Sequence, residues 1–222
     1  MIWTSSHDNW SLYNSNTYAI SGNRGKDKGY TGKCYSKLAP KKEFWEVWHN
    51  NIGKISDEEN LIYYVENYYE QVLAGLDPQE VYAELDDSVL LCYEQPDVFC
   101  HRMIVAAWFE LFLDKEVPEV KYVDGKAIKV ERSEIAHHVK DLLKETIKKR
   151  INMRGYGNIR AAYLYEQSLD FDNQAEGLDK VAYSNLYRER AVLLKAEADM
   201  YEAEHKERIG KLINSLKQGK SE

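Results

Sequence analysis

The sequence predicts an α/β fold, in which a Rossmann-like, mostly parallel sheet domain is followed by an α-helical C-terminal extension. An apolar run at residues 89–93 lies between acidic residues and Pro96, which is typical of a buried strand in a parallel sheet. A helical pattern follows this run and completes a strand–loop–helix unit. Later residues show mainly helical patterns. We therefore predict an α/β domain over 1–130 and a helical extension over 131–222.

The elements before the buried run are short. In order, we predict strands at 2–4 and 17–21, a glycine- and lysine-rich loop at 21–40, and helices at 41–50, 57–75 and 77–85. Asp57 is the expected N-cap of the second helix, and Gly75 can end it. Pro78 favours a helix start, because proline is tolerated at the first helical position.

The elements after the buried run are longer. In order, we predict a helix at 101–112, a linker or small hairpin at 114–132, a helix from Ser133 to Arg150, and a long helical pattern that begins near Asp179. Leu186, Leu193 and Met200 are spaced seven residues apart, which favours helical pairing within the chain or between chains. We therefore expect a homo-oligomer contact through 179–216.

Composition excludes several classes of protein. Hydrophobic residues make up 44% of the 222 residues and charged residues 30%, which suits a water-soluble domain with a real core. No apolar run approaches the roughly 20 residues of a membrane span, so we expect no membrane partner. The chain has three cysteines, and this odd number argues against a disulfide scaffold. We expect a cytoplasmic protein.

The net charge of −7 is unevenly distributed along the chain. Between Arg24 and Lys42 there are seven Lys or Arg residues and one acid, a local charge of +6. Such a basic segment invites an anionic ligand, and its alternative interpretation is a solvated loop. The ligand-binding candidates are Arg24, Lys26, Lys28, Tyr30 and Lys33. Cys34, in the same segment, has no role beyond that of an exposed thiol.

The residues Cys100, His101 and Arg102 are the strongest catalytic candidates. They fall at the predicted N-terminus of a helix, where free backbone amides favour negative charge. A thiol there would have a lowered pKa and could attack an electrophile or bind a metal. Arg102 is suited to a bidentate grip on phosphate or carboxylate. The alternatives are an ordinary loop contact for His101 and a salt bridge of Arg102 with Glu94 or Asp97.

Three further residues complete the catalytic candidates. Cys92 ends the predicted strand, Glu94 lies two residues later on the same face, and His7 follows the first strand. Glu94 and His7 are acid or base candidates, whereas Cys92 is also readily explained as a small core residue.

Cysteine spacing gives little support for a metal, and we predict no metal site. Cys92-x7-Cys100-His101 lacks the C-x2-C pairs of zinc modules, and a second ligand pair is missing. His7, His137 and His138 remain as further nitrogen donors. The sequence requires no cofactor.

The motif Leu90–Arg102, followed by Val105-Ala106 and Trp108, resembles the signature of the DUF488 family. Similarity extends upstream through the basic loop and the helix pair before the motif, and it covers Trp3 to about Phe112. Gly22-Asn23 stands where relatives have no insertion. The resemblance implies a compact α/β, Rossmann-like domain, and the family's paired cysteines suggest an enzymatic role.

Two functions follow as hypotheses. The first is an enzyme, a thiol-dependent hydrolase or transferase, that acts on a phosphorylated small molecule, a nucleotide or a nucleic-acid end. Its substrate would bind to the basic loop beside Cys100. The second is a non-catalytic module that binds a nucleotide or nucleic acid, with a helical tail that oligomerises or recruits a partner. In that module Tyr30, Tyr35 and Trp45 could stack on bases.

Overall fold

The computed structural model describes residues 1–13, 16–150, 155–176 and 181–218. The strands are β1 (Trp3–Ser6), β2 (Asn16–Ala19), β3 (Lys33–Cys34), β4 (Ser88–Cys92), β5 (Glu119–Val123) and β6 (Lys126–Val130). The helices are α1 (Lys42–Asn51), α2 (Asp57–Tyr68), α3 (Pro78–Glu84), α4 (His101–Leu113), α5 (Glu134–Arg150), α6 (Ile159–Glu176) and α7 (Val181–Gln218). The predicted α/β class is confirmed. No helix in the described ranges is long and apolar enough to cross a membrane.

The chain forms two compact units, Met1–Lys149 and Arg150–Glu222. The first unit contains the sheet and continues past residue 130, where the sequence placed the end of the α/β domain, to include nearly all of α5. The second unit contains α6 and α7.

A six-stranded sheet in the order β3-β2-β4-β1-β5-β6 organises the first unit. β4 is parallel to both of its neighbours. Its residue Cys92 lies opposite Ser6 of β1, and its residue Leu91 lies opposite Ala19 of β2. The carboxyl ends of β1, β2 and β4 therefore meet at one edge of the sheet. In open parallel sheets, ligands bind at this edge.

The β4–α4 unit is the core of this domain. All five residues of β4 are buried, as its continuous apolar run predicts. Most of α4 is also buried, and Phe109 packs edge-on against Tyr82 of α3. The N-cap of α4 is Cys100, so the loop after β4 brings this cysteine back to the sheet edge.

The helices before β4 match the sequence closely, with one correction. The N-cap of α2 is Ser56 and not Asp57. The Ser56 hydroxyl accepts a hydrogen bond from the Glu59 backbone N–H, and the Glu59 carboxylate accepts one from the Ser56 backbone N–H. After α2 the chain continues as a π-helical turn, Tyr69–Leu73. Helix α3 begins at Pro78, as expected, and Asp77 caps it by accepting from two backbone N–H groups.

The sequence predicted a linker or a small hairpin at 114–132, and the structure shows the hairpin. β5 and β6 pair antiparallel around Asp124-Gly125, both at positive φ, and β5 joins the sheet beside β1. The 21–40 loop contains a feature that the sequence did not predict. Two of its residues form β3, which pairs with β2.

Helix α6 was not predicted, and it packs against α7 within the second unit. Leu164 of α6 contacts Leu194 and Ala198 of α7. The predicted seam of Leu186, Leu193 and Met200 is on the exposed side, where each of these residues is at least half exposed. Pairing within the chain therefore uses other residues of α7. An oligomer contact through 179–216 stays a prediction, and residues 179–180 lie outside the described part of the chain.

Candidate functional site

A cavity of about 600 Å³ opens at the carboxyl edge of the sheet. Its lining consists of Ser21, Gly22, Asn23, Pro40, Lys42, Trp45, Trp48, Tyr64, Cys92, Tyr93, Glu94, Phe99, Cys100 and His101. The buried residues Cys92, Cys100, His101 and Ser21 form the floor of the cavity. The exposed members, among them Lys42, Trp45 and Asn23, form its rim.

The floor of the cavity carries two thiols and one imidazole, which we call the thiol–imidazole cluster (Cys92, Cys100 and His101). His101 Nδ1 lies 3.3 Å from Cys92 Sγ and 3.9 Å from Cys100 Sγ. One donor atom from each residue lies within 4.8 Å of the other two. The cluster forms because β4 ends at Cys92 and α4 begins directly after Cys100.

The ring of His101 is held in one orientation. His101 Nε2 lies 3.0 Å from the backbone carbonyl oxygen of Ile20, which can only accept, so Nε2 carries the proton and donates it. In the neutral imidazole, Nδ1 is then an unprotonated acceptor or metal donor. Cys92 Sγ also lies 3.8 Å from Nε2, so this thiol lies beside the ring and not along the Nδ1 lone pair.

The two thiols differ in protonation. Burial raises the pKa of Cys92 well above its usual range, and the neighbouring Cys100 raises it further. Burial also acts to raise the pKa of Cys100, but a hydrogen bond from Cys92 and the positive charge of Arg102 outweigh it and hold this pKa well below its usual range. The cluster thus places its negative charge on Cys100.

Glu94 lies on the wall beside the cluster, with its Oε2 3.7 Å from Cys92 Sγ. Burial, followed by the charge of Cys100, raises the pKa of Glu94 to about 7. The sequence placed Glu94 and Cys92 on the same face of an extended chain, and the structure brings both to this cavity.

Arg102 does not line the cavity. Its side chain is fully buried and pairs with Glu119 of β5, at 2.8 Å between Nη2 and Oε1, and it donates to the Gln95 carbonyl oxygen. The sequence placed Arg102 on a phosphate or in a salt bridge with Glu94 or Asp97. The structure instead shows a salt bridge with Glu119; Nη1 has no hydrogen-bond partner among the described residues, but Arg102 does not line the cavity.

His7 is fully buried beneath the sheet edge and is absent from the cavity lining. Its Nε2 lies 3.2 Å from Ser21 Oγ, and its ring packs against Tyr30 and Tyr93. Burial lowers the pKa of His7 to about 4, so this imidazole is neutral at physiological pH. His7 therefore contacts the cavity-lining residues Ser21 and Tyr93 but does not itself line the cavity.

The basic loop contributes fewer free groups than its charge suggests. Lys28 pairs with Asp8, and Lys33 donates to Asn16. Tyr30 is buried, and its hydroxyl lies within hydrogen-bond distance of Thr17 and Lys33, so it cannot stack on a ligand. Arg24 and Lys26 are exposed and form no ion pair with any residue that the structure describes. Neither lines the cavity, but Arg24 directly follows Asn23 of the rim.

Sequence reasoning missed most of the cavity walls. Trp48, Tyr64 and Phe99 pack edge-on against one another, and Tyr93 also lines the cavity. The sequence named Trp45 and Tyr35 only as base-stacking candidates. Trp45 lines the cavity, whereas the Tyr35 hydroxyl donates a hydrogen bond to Glu84. The rim lysine, Lys42, was counted in the basic segment but not proposed as a ligand. The one available signal was the aromatic density of residues 44–48 and 63–69.

The other histidine candidates lie apart from the cluster. His138 pairs with Glu58 on the surface, at 2.8 Å between Nε2 and Oε2, and His137 is likewise outside the cavity lining. Cys34 is exposed, as the sequence predicted.

The fold and the site together define an α/β protein with a buried thiol–imidazole cluster at the carboxyl edge of its sheet. Beyond this class, the chain has no match among protein-family models, curated proteins or solved structures. The resemblance to the DUF488 family therefore stays a prediction.

Proposed function

We propose that the protein is an enzyme that binds a mononucleotide in the aromatic cavity and acts on its base. The observation that carries this proposal is the position of the thiol–imidazole cluster, which forms the floor of a cavity with aromatic walls. A reactive cluster inside a mostly apolar pocket with a few polar groups is the usual arrangement of an active site.

The walls and the rim suggest the class of ligand. Trp45, Trp48 and Tyr64 offer flat apolar surfaces, and stacking of a base on an aromatic side chain contributes about 1–3 kcal/mol. Lys42 lies at the exposed rim, where its ammonium group can pair with a phosphate. A nucleotide bound in this way has its phosphate at the rim and its base at the floor, next to Cys100 and Glu94.

The alternative is a non-catalytic module that binds nucleic acid, and the geometry supports it less well. Such a module needs free cations and stacking residues on an open surface. Here Lys28 and Lys33 already have partners, and Tyr30 is buried.

Binding of a nucleoside monophosphate, measured by quenching of tryptophan fluorescence, tests the proposal. We expect Trp48→Ala to weaken binding by about 5- to 150-fold, since a stacking contact of about 1–3 kcal/mol is lost. Lys42→Ala should weaken binding of the monophosphate but not of the free nucleoside. Lys41→Ala is the matched control, because Lys41 is an exposed neighbour that does not line the cavity.

Turnover is tested with the same monophosphates by chromatography of the reaction mixture. Cys100→Ser should bind nucleotide and form no product. The proposal is wrong if no nucleoside monophosphate binds, or if binding is unchanged in Trp48→Ala.

A further inference from the structure

We infer that the thiol–imidazole cluster binds one zinc ion through Cys92 Sγ, Cys100 Sγ and His101 Nδ1. This inference rests on the proposed function, because it names the ion that the proposed reactive centre would hold. It concerns only residues of the first compact unit, all of them described.

The separations between the donor atoms suit a tetrahedral zinc site. Bonds of about 2.3 Å from zinc to sulfur and about 2.0–2.1 Å from zinc to nitrogen place sulfur and nitrogen ligands about 3.5 Å apart. The two sulfur–nitrogen distances in the cluster are 3.3 Å and 3.9 Å, which lie on either side of that value. Cys92 Sγ also lies 3.8 Å from His101 Nε2, so the Cys92 thiol must rotate toward the Nδ1 lone pair before the three donors can close on one ion.

The surroundings of His101 are those of a metal ligand. Histidines that bind metals nearly always donate their other ring N–H to a carbonyl or carboxylate, which fixes the ring and the tautomer. His101 Nε2 makes such a bond to the Ile20 carbonyl oxygen, at 3.0 Å, and leaves Nδ1 for the metal.

The donor types select the metal. Thiolate and imidazole ligands suit zinc, whereas magnesium and calcium prefer oxygen. Two thiolates balance the charge of one Zn²⁺, and the amino end of α4 favours the negative charge that the thiolates bring. The +2 ion therefore allows both thiols to ionise in a buried place.

Three protein ligands leave one coordination position open. Structural zinc sites usually have four protein ligands, whereas catalytic sites have three and a water molecule. All three donors line the cavity, so the open position faces the space where the base would lie. Glu94 lines the same cavity, with its Oε2 3.7 Å from Cys92 Sγ.

The spacing of the donors along the chain concealed this site. Zinc modules are recognised by cysteines two to four residues apart, but Cys92 and Cys100 are separated by the β4–α4 loop. The loop returns to the sheet edge and brings the two sulfurs to the same imidazole nitrogen.

Metal analysis of the full-length chain, purified without chelator under reducing conditions, tests the inference. We expect one zinc ion per chain, and at least a ten-fold lower content in Cys92→Ser and in Cys100→Ser. Cys34→Ser is the matched control, because Cys34 is exposed and lies outside the cluster. Glu94→Gln should also retain one zinc ion.

Cobalt substitution keeps the test valid if the serine variants fail to fold. Co²⁺ added to the metal-free wild-type chain should give the thiolate charge-transfer band and the visible bands of a tetrahedral site. The inference is overturned if the wild-type chain takes up neither zinc nor cobalt, or if zinc content is unchanged in the Cys92→Ser/Cys100→Ser double variant.

The two proposals fail separately. Metal content is measured on protein without nucleotide, and nucleotide binding is measured through Trp48→Ala. A chain that holds zinc but binds no nucleotide contradicts the proposed function alone. A chain that binds and converts nucleotide without zinc contradicts the zinc site alone.

Discussion

His7 shows how burial makes a single side chain sensitive to pH. Its ring has no exposed surface, and only one of its two nitrogens has a hydrogen-bond partner among the described residues. The neutral imidazole fits between Ser21, Tyr30 and Tyr93, but a charged one would carry an uncompensated proton. The carboxyl edge of the sheet therefore depends on His7 remaining neutral.

We expect His7 to lower the free energy of unfolding in mild acid, whereas Glu94, whose pKa burial raises to about 7, acts in the opposite direction as the pH falls. Burial lowers the pKa of His7 from 6.5 to about 4, so between these values the unfolded chain binds a proton that the folded chain does not. The loss begins below pH 6.5, is complete near pH 4 and amounts to about 3 kcal/mol at most. Urea unfolding at a series of pH values measures it.

The test compares the wild type with His7→Gln. Because Glu94 acts in the same pH range with the opposite sign, His7→Gln should lose less unfolding free energy than the wild type between pH 6.5 and pH 4. Equal pH profiles for wild type and His7→Gln would contradict this account.

Gly25 is the residue that lets the basic loop close over His7. Its φ is +67°, and a Cβ at this position would lie 2.6 Å from His7 Cε1. Gly25→Ala should therefore lower the free energy of unfolding by clearly more than the roughly 1 kcal/mol of left-handed strain alone. Gly29→Ala is the matched control, because Gly29 has φ +70° and open space around it. Equal losses in the two variants would contradict the packing argument.

Arg102 joins three parts of the first unit: α4, β5 and the loop at Gln95. Arg102→Met should cost about 3–5 kcal/mol of unfolding free energy, because it leaves the Glu119 carboxylate buried without its cation. Arg102→Met/Glu119→Met should recover most of that loss. Lys129→Met, at an exposed pair with Glu116, should cost less than about 1 kcal/mol. A loss below about 1 kcal/mol for Arg102→Met would show that the ion pair is not needed.

Elements of secondary structure could be predicted well where one local signal was strong. The apolar run of β4 and the Asp77-Pro78 start of α3 each identified an element directly, whereas the sequence left the β5–β6 hairpin open as a linker or a hairpin. Helix α6 was missed because much of its buried surface is alanine, including Ala161 and Ala162, which give a weak periodic signal. β3 was missed because two exposed residues carry no pattern.

The candidate site could be predicted only in part, because most of it depends on tertiary contacts. The candidates Cys92, Glu94, Cys100 and His101 all line the cavity, since they lie at one strand end, in one loop and at one helix start. The sequence could not show that Arg102 is held in a buried ion pair while Lys42 lines the cavity. The partner of a cation depends on residues distant in sequence, such as Glu119 for Arg102. The aromatic walls come from α1, α2 and the β4–α4 loop, and only folding brings these segments together.

At the scale of the whole molecule, the chain consists of two compact units, and the entire candidate site lies in the first. The first unit has its own sheet and buried core, so we expect a fragment of residues 1–149 to fold alone. It should unfold in one cooperative transition with urea and retain the metal content of the full chain. A fragment without a cooperative transition would show that the first unit depends on the second.

The central claim is that Cys92, Cys100 and His101 form one reactive centre at the floor of the aromatic cavity. A crystal structure of the purified full-length chain, with an anomalous difference map recorded at the zinc edge, tests this claim most directly. We predict one strong peak bonded to Cys92 Sγ, Cys100 Sγ and His101 Nδ1, with its fourth position open to the cavity. A map with no peak at these atoms, and with the two sulfurs joined in a disulfide or turned away from His101, would contradict it.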